Sequence, residues 1–205
     1  MNCRVKICGI TNLDDAMVAC RYGADALGFV FYEKSPRYVA PDMANAIVAQ
    51  LPPFIIPVAL FVDADTSLVN SVISGSSRWT IQFHGSESES ECISYQRPYI
   101  KALRIQRGDD VAALVDQYPS ASAMLLDAYK AGVPGGTGEV FDWSLIPIGL
   151  SKPIVLAGGL TPSNVKQAIK QVKPYAVDVS GGVELSKGIK SEPLVQEFIS
   201  GAKCG

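Results

Sequence analysis

IVLAGGLTPSNVKQAIKQVKPYAVDVSGGVE, residues 154–184, holds one complete unit of the fold. The apolar run Ile154 to Ala157 reads as a strand, the spacing from Ser163 to Gln171 as a helix, and Tyr175 to Val179 as a second strand. Two short strands joined by a crossover helix pair in parallel. Thr161-Pro162-Ser163 opens that helix with a proline early in its first turn, where a missing N–H costs little. Each strand runs into a glycine doublet, Gly158-Gly159 after the first and Gly181-Gly182 behind Ser180 after the second. Paired glycines expose backbone N–H groups beside a helix N-terminus, which suits a phosphate monoester; single glycines in such places more often only make tight turns.

The same alternation extends back to residue 4. Further strands are predicted at Arg4 to Cys8, Ala26 to Phe31, Ile56 to Val62, Thr80 to Phe83, Ile100 to Arg104 and Ala123 to Asp127. Helical spacing lies between them at Asp14 to Tyr22, Asp42 to Gln50, Ser67 to Ile73, Glu89 to Tyr95, Asp109 to Tyr118 and Phe141 to Ile146, with a last helix at Glu192 to Ser200. Thr11-Asn12 and Asp63 to Thr66 offer caps for the first and third helices. Eight strand–helix units leave about 26 residues each, tight for a (β/α)₈ barrel of usual size about 250 residues, and exclude large insertions. A doubly wound open sheet would use fewer strands and place a glycine fingerprint after the first, where this chain has Cys8-Gly9-Ile10-Thr11. The predicted architecture is therefore α/β: a single (β/α)₈ TIM barrel of eight parallel strands, forming one catalytic domain over residues 1–205.

Composition narrows the function. Of 205 residues 48% are hydrophobic and 19% charged, the balance of a globular domain. With 18 Lys plus Arg against 20 Asp plus Glu, the formal charge is −2, so no broad positive field exists for nucleic acid or an anionic membrane. The longest apolar run, Phe54 to Val62, contains Pro57 and falls well short of the about 20 residues a membrane span needs. Five scattered cysteines without a C-x-x-C spacing argue against a disulfide framework or structural zinc. A lone histidine, His84, removes three-His metal sites. No secretory leader is visible at Met1, so a reducing cytoplasm is the expected compartment, and no metal or organic cofactor is expected.

In a barrel, polar residues at strand C-terminal ends gather on one face. Cys8 closes the first strand before a glycine; it reads as a nucleophile or base whose pKa Lys6 would lower from about 8.5, or as a small buried hydrophobe, with Lys6 as barrel filling. Asp127 follows Met124-Leu125-Leu126, a lead-in that brings a carboxyl into a partly dry mouth and raises its pKa toward that of a proton donor. It equally suits a helix cap or a cation's partner, and Asp63 and Asp178 compete with it. Arg37, in Lys34-Ser35-Pro36-Arg37-Tyr38, fits bidentate recognition of a substrate carboxylate, or a surface salt bridge. His84 would orient a ligand or stand as a neutral hydrogen-bonded wall. Gly132 to Gly138 lacks the G-x-G-x-x-G and P-loop patterns and reads as a mobile lid, with Asp142-Trp143 capping and packing the next helix.

Taken in order, these motifs resemble the phosphoribosylanthranilate isomerases of tryptophan biosynthesis. The likeness rests on Lys6 to Thr11, Gly28 to Phe31 with Ser35-Pro36-Arg37, Gln82 to Gly85, Leu126-Asp127, Gly135 to Gly138 through Trp143, Leu156 to Leu160, and Val179 to Glu184. It implies a cofactor-independent Amadori rearrangement of N-(5-phosphoribosyl)anthranilate to 1-(2-carboxyphenylamino)-1-deoxyribulose 5-phosphate. Asp127 then resembles the general acid at the furanose ring oxygen and Cys8 the general base at C2. Arg37 matches the arginine near the anthranilate carboxylate, and Gly158, Gly159, Ser180, Gly181 and Gly182 match the phosphate cup. Phe83 replaces the usual leucine, and Gly181 replaces a common second serine, which removes a hydroxyl but keeps a backbone N–H.

Other readings are another phosphosugar barrel isomerase, such as that of the histidine pathway, and a carboxylyase-type relative, both of which carry acidic pairs in place of Cys8. A catalytically silent phosphosugar-binding module is a different class, and a thiol redox sensor a third, although no resolving cysteine adjoins Cys8. The partner expected is a small phosphosugar, with monomer and homodimer both open.

Overall fold

Eight parallel strands close into a barrel in the computed structural model, which describes residues 3–128 and 143–203. They are β1 (Arg4–Cys8), β2 (Ala26–Val30), β3 (Ile56–Phe61), β4 (Thr80–Phe83), β5 (Tyr99–Ile105), β6 (Ala123–Ala128), β7 (Ile154–Leu156) and β8 (Ala176–Val179). Each pairs with its neighbour in chain order, and β1 closes on β8 with Val5 beside Val177 and Ile7 beside Val179. The predicted strands are all present, with ends moved by a residue or so.

Two apolar layers follow from the two faces of these strands. The larger lies between barrel and helices, where Phe29, Phe31, Phe61, Trp79 and Tyr99 are buried. Phe31 stacks on Phe61 at 5.3 Å, and the Trp79 indole N–H donates to Asn45 Oδ1 at 2.9 Å. A separate cluster of Ala102, Ala123, Leu125, Val155, Ala157 and Ala176 comes from alternate positions and fills the barrel interior. These side chains are mostly small, and two long polar ones, Lys6 and Gln82, are buried as well.

The helices are α1 (Leu13–Tyr22), α2 (Pro41–Val48), α3 (Thr66–Ile73), α4 (Glu89–Ile93), α5 (Val111–Asp116), α6 (Val165–Val172) and α7 (Glu192–Lys203). Asn12 caps α1 as predicted, its Oδ1 accepting the Asp15 N–H at 2.8 Å. In contrast, α6 begins two residues later than its proline suggested. Pro162 lies in a turn that Asn164 ties together, Oδ1 accepting from Thr161 N–H and Nδ2 donating to the Gly159 carbonyl, both at 2.9 Å. Of the segment predicted as a helix over Phe141 to Ile146, the described part is a 3₁₀ turn at Trp143–Leu145. The lid predicted at Gly132 to Gly138 and the cap at Asp142 lie outside the described residues, as does Cys204.

Two elements were not foreseen: a 3₁₀ turn at Gly181–Val183 after β8, and behind it a hairpin of β9 (Glu184–Ser186) and β10 (Ile189–Lys190). Thr11 Oγ1 donates to the Gly188 carbonyl at 2.7 Å, and the Lys190 N–H donates to the buried Asp15 carboxylate at 2.9 Å. The hairpin is thereby tied to the β1–α1 connection. Among the described residues, no helix is long and apolar enough to cross a membrane.

Candidate active site

A cavity of about 720 Å³ opens at the C-terminal ends of the strands. Its lining brings together Cys8, Arg37, His84, Asp127, Gly158, Gly159, Ser180, Gly181 and Gly182, the catalytic and binding candidates of the sequence, whereas Lys6 and Asp63 are not in it. Residues far apart in the chain line it together, and just beneath Cys8 the side chains of Lys6 and Asp178, 172 positions apart, are hydrogen-bonded.

The loops after β7 and β8 form one wall. A Cβ on Gly182 would lie 2.0 Å from the Leu160 carbonyl oxygen, so these two loops approach more closely than any side chain at this position permits. Ser180 Oγ is buried and has no hydrogen-bond partner among the described residues, although a buried hydroxyl ordinarily finds one. It is thus an unused donor beside two backbone-rich loops, as a phosphate site requires.

The opposite wall is apolar. Val30 and Leu60 are buried with Cys8, and Tyr32 and Val62 pack on them. These residues continue the inward alternation beyond the ends of β2 and β3, and the sequence analysis passed over them. The period of two in Gly28, Val30, Tyr32 and in Val58, Leu60, Val62 was the available signal.

Cys8 lies beside an ion pair. Lys6 Nζ donates to Asp178 Oδ1 at 2.8 Å; the lysine side chain is buried and the aspartate is partly buried. A Cβ on Gly28 would sit 2.7 Å from Cys8 Sγ and 2.9 Å from Lys6 Nζ, so thiol and ammonium share the space over that glycine. Burial pushes the Cys8 thiol above its ordinary pKa, outweighing the nearby Lys6 ammonium, which pulls it down. The lowering expected from Lys6 is present but loses to desolvation. For Lys6, burial works against the charge, but Asp178 and Cys8 together outweigh it, so the ammonium holds its proton more firmly than usual.

Asp127, at the end of β6, is 6% exposed, with Oδ2 3.6 Å from His84 Nε2. Gln82 Nε2 approaches His84 Nδ1 at 3.0 Å. The ring is thus held between the Gln82 amide at one nitrogen and the Asp127 carboxyl near the other. His84 therefore neighbours the acid candidate as well as lining the cavity. Of the competing carboxyls, Asp178 is held by Lys6, whereas Asp63 accepts from Ser86 N–H and lines an adjacent cavity of about 510 Å³ with Arg104.

Arg37 is neither at the surface nor wholly uncommitted. Its Nε and Nη2 donate to Glu184 Oε1 and Oε2 at 2.7 and 2.8 Å, with only 14% of the arginine side chain and 5% of the glutamate exposed. Lys190 Nζ reaches the same Oε1 at 2.9 Å. Glu184 entered the sequence reading only as the end of the Val179 to Glu184 motif, without a role, and Lys190 not at all, because the short hairpin that carries them has no strong period.

Across nearly its whole length the sequence matches the family model described as N-(5'-phosphoribosyl)anthranilate (PRA) isomerase, over residues 5–201. The chain belongs to this family. The phosphoribosylanthranilate isomerase of Pseudomonas fluorescens strain Pf0-1 is 58% identical over 200 residues, covering 98% of each chain. The crystal structure of the Thermotoga maritima isomerase superposes with a TM-score of 0.91 at 40% identity, covering 99% of this chain and 100% of that one. A phosphoribosylanthranilate isomerase solved in complex with reduced 1-(o-carboxyphenylamino)-1-deoxyribulose 5-phosphate superposes with a TM-score of 0.87, also at 40% identity and with the same coverage. The barrel and the family resemblance read from the sequence are both borne out.

Proposed function

We propose that this chain catalyses the Amadori rearrangement of N-(5-phosphoribosyl)anthranilate to 1-(2-carboxyphenylamino)-1-deoxyribulose 5-phosphate, an aldose–ketose isomerisation in tryptophan biosynthesis, in the cytoplasm. The observation that carries the reading is the single cavity in which Cys8, Asp127, Arg37, an apolar wall and two glycine-rich loops converge. A substrate with a phosphate at one end, an aromatic carboxylate at the other and a ribose between matches that order of surfaces.

In this reading the phosphate rests on Gly158, Gly159, Ser180, Gly181 and Gly182, the aromatic ring packs on Val30, Tyr32, Leu60 and Val62, and Arg37 faces the carboxylate. Asp127 donates a proton to the ring oxygen as the C1–O bond opens, leaving a Schiff base with the anthranilate nitrogen. Cys8, as thiolate, takes the C2 proton, and the electron pair released forms the enolamine, which tautomerises to the ketone. Each proton transfer contributes about 10²–10⁴-fold. Lys6 assists by stabilising the thiolate once it forms, and His84 holds the Asp127 carboxyl through Nε2. Around Cys8 stand three cations, Lys6, Arg37 and Lys190, and two anions, Asp178 and Glu184.

The test is a fluorescence assay of phosphoribosylanthranilate consumption by the purified chain, with inorganic phosphate as competitor. Turnover inhibited competitively by phosphate is the expected result. A folded protein that leaves the substrate unchanged would refute the assignment.

A further inference from the structure

Arg37 meets its proposed task with a handicap. Two of its five N–H groups are spent on Glu184, and a pair of opposite charges has no net attraction for a carboxylate. A carboxylate brought beside Glu184 would in fact meet a like charge. Lys190 changes that balance. Its side chain is fully buried, and its Nζ donates to Glu184 Oε1 at 2.9 Å and to the Ser180 carbonyl at 3.3 Å. Arg37, Glu184 and Lys190 together carry +1, and the guanidinium plane is fixed by two bonds along its Nε–Nη2 edge. The Nη1 end has no partner among the described residues, and the residue lines the cavity.

A buried lysine is costly. Burial pulls the Lys190 ammonium below its ordinary pKa, and Glu184 opposes that pull. A hairpin built only to close the barrel would be more stable with an apolar residue here. The backbone also commits to this placement, since Lys190 N–H is held by the buried Asp15 carboxylate.

We infer that Lys190 and Glu184 are positioning residues that set aglycone specificity. Glu184 orients the Arg37 guanidinium, and Lys190 cancels the glutamate's charge so that the subsite keeps the net positive charge that selects a carboxylate-bearing aglycone. This rests on the proposed reaction and deepens it. Through Ser180, Lys190 also joins the carboxylate subsite to the phosphate loops, so both anionic ends of the substrate are read by one connected group of residues.

The experiment compares kcat/KM for N-(5-phosphoribosyl)anthranilate and for N-(5-phosphoribosyl)aniline, which lacks the carboxylate. The variants are Lys190→Met, similar in length but uncharged, and Lys190→Met combined with Glu184→Gln, with melting curves to show that each is folded. Lys190→Met is predicted to lower the preference for the carboxylated substrate, read as the ratio of the two kcat/KM values, at least tenfold. The double variant returns the subsite to +1 and is predicted to recover at least threefold of that preference. A merely structural role would reduce both substrates equally and give no recovery, which would overturn the inference. Lys190→Gln supplies the same ratio if Lys190→Met melts below the assay temperature. Wild-type inactivity on both substrates would overturn the proposed reaction and this inference with it, whereas wild-type turnover with an unchanged ratio in the variants overturns the inference alone.

Discussion

Cys8 illustrates what one residue's place in the sequence reveals and what it conceals. A cysteine closing a strand before glycine is legible as a mouth residue, because strand ends of a barrel collect on one face. Its ionisation is not legible, because the sign depends on a contest between desolvation and Lys6 that only packing decides. Burial wins, so the thiolate fraction at neutral pH is small and grows about tenfold per pH unit until the raised pKa is reached. The thiolate's ultraviolet absorbance, taken as the difference between wild type and Cys8→Ala, is predicted to appear with a midpoint above pH 9. A midpoint below 9 would show that Lys6, and not burial, sets the ionisation of this thiol. Arg37 makes a similar point: its type was informative, whereas its Glu184 partner lies 147 positions away and left no local trace.

Among the elements, the glycine doublets after β7 and β8 were legible as a candidate phosphate cup from their positions alone, but their mutual contact was not. The Leu160 carbonyl stands 2.0 Å from where a Gly182 Cβ would be, so Gly182→Ala must force the two loops apart. Overpacking of this kind costs about 1–3 kcal/mol. The variant is predicted to melt lower and to bind inorganic phosphate at least tenfold more weakly, read as its inhibition constant. An unchanged constant would place the anion elsewhere. The β9–β10 hairpin was invisible for the opposite reason: Glu-Leu-Ser and Ile-Lys are too short to show a period, and it is anchored from outside by Thr11 and Asp15. The start of α6 was misread because Pro162 suits a first helical turn as well as the turn before it, and Asn164 decides between them.

For the whole molecule, regular spacing of short apolar runs made the barrel legible, since eight strand–helix units at this length leave room for little else. Which strands close it is a long-range fact, carried by β1 against β8. The same burial that builds the layers around the barrel fixes how the protein responds to alkali. Burial raises the Cys3 thiol to about 11 and the Cys92 thiol to about 12, from an ordinary value of 9.0. Above pH 9 the unfolded chain releases these protons while the fold retains them. Stability is therefore full below pH 9 and falls as pH rises toward 11–12, by at most about 1.4 kcal/mol per pH unit for each thiol. Chemical denaturation at pH 8, 9, 10 and 11 is predicted to show that fall, and Cys92→Ala, though less stable at pH 8, a shallower one. An equal slope in that variant would assign the alkaline loss to other groups.

The account depends on a sulfur from β1 and a carboxyl from β6 sharing one proton-transfer cycle. Its most direct test is steady-state turnover of phosphoribosylanthranilate by Cys8→Ser and Asp127→Asn, each shown to be folded. The prediction is a loss in kcat of at least about 10²-fold in each, with KM within about threefold of wild type, because each removes a group that acts in the transition state. Near-wild-type kcat in either variant would contradict it.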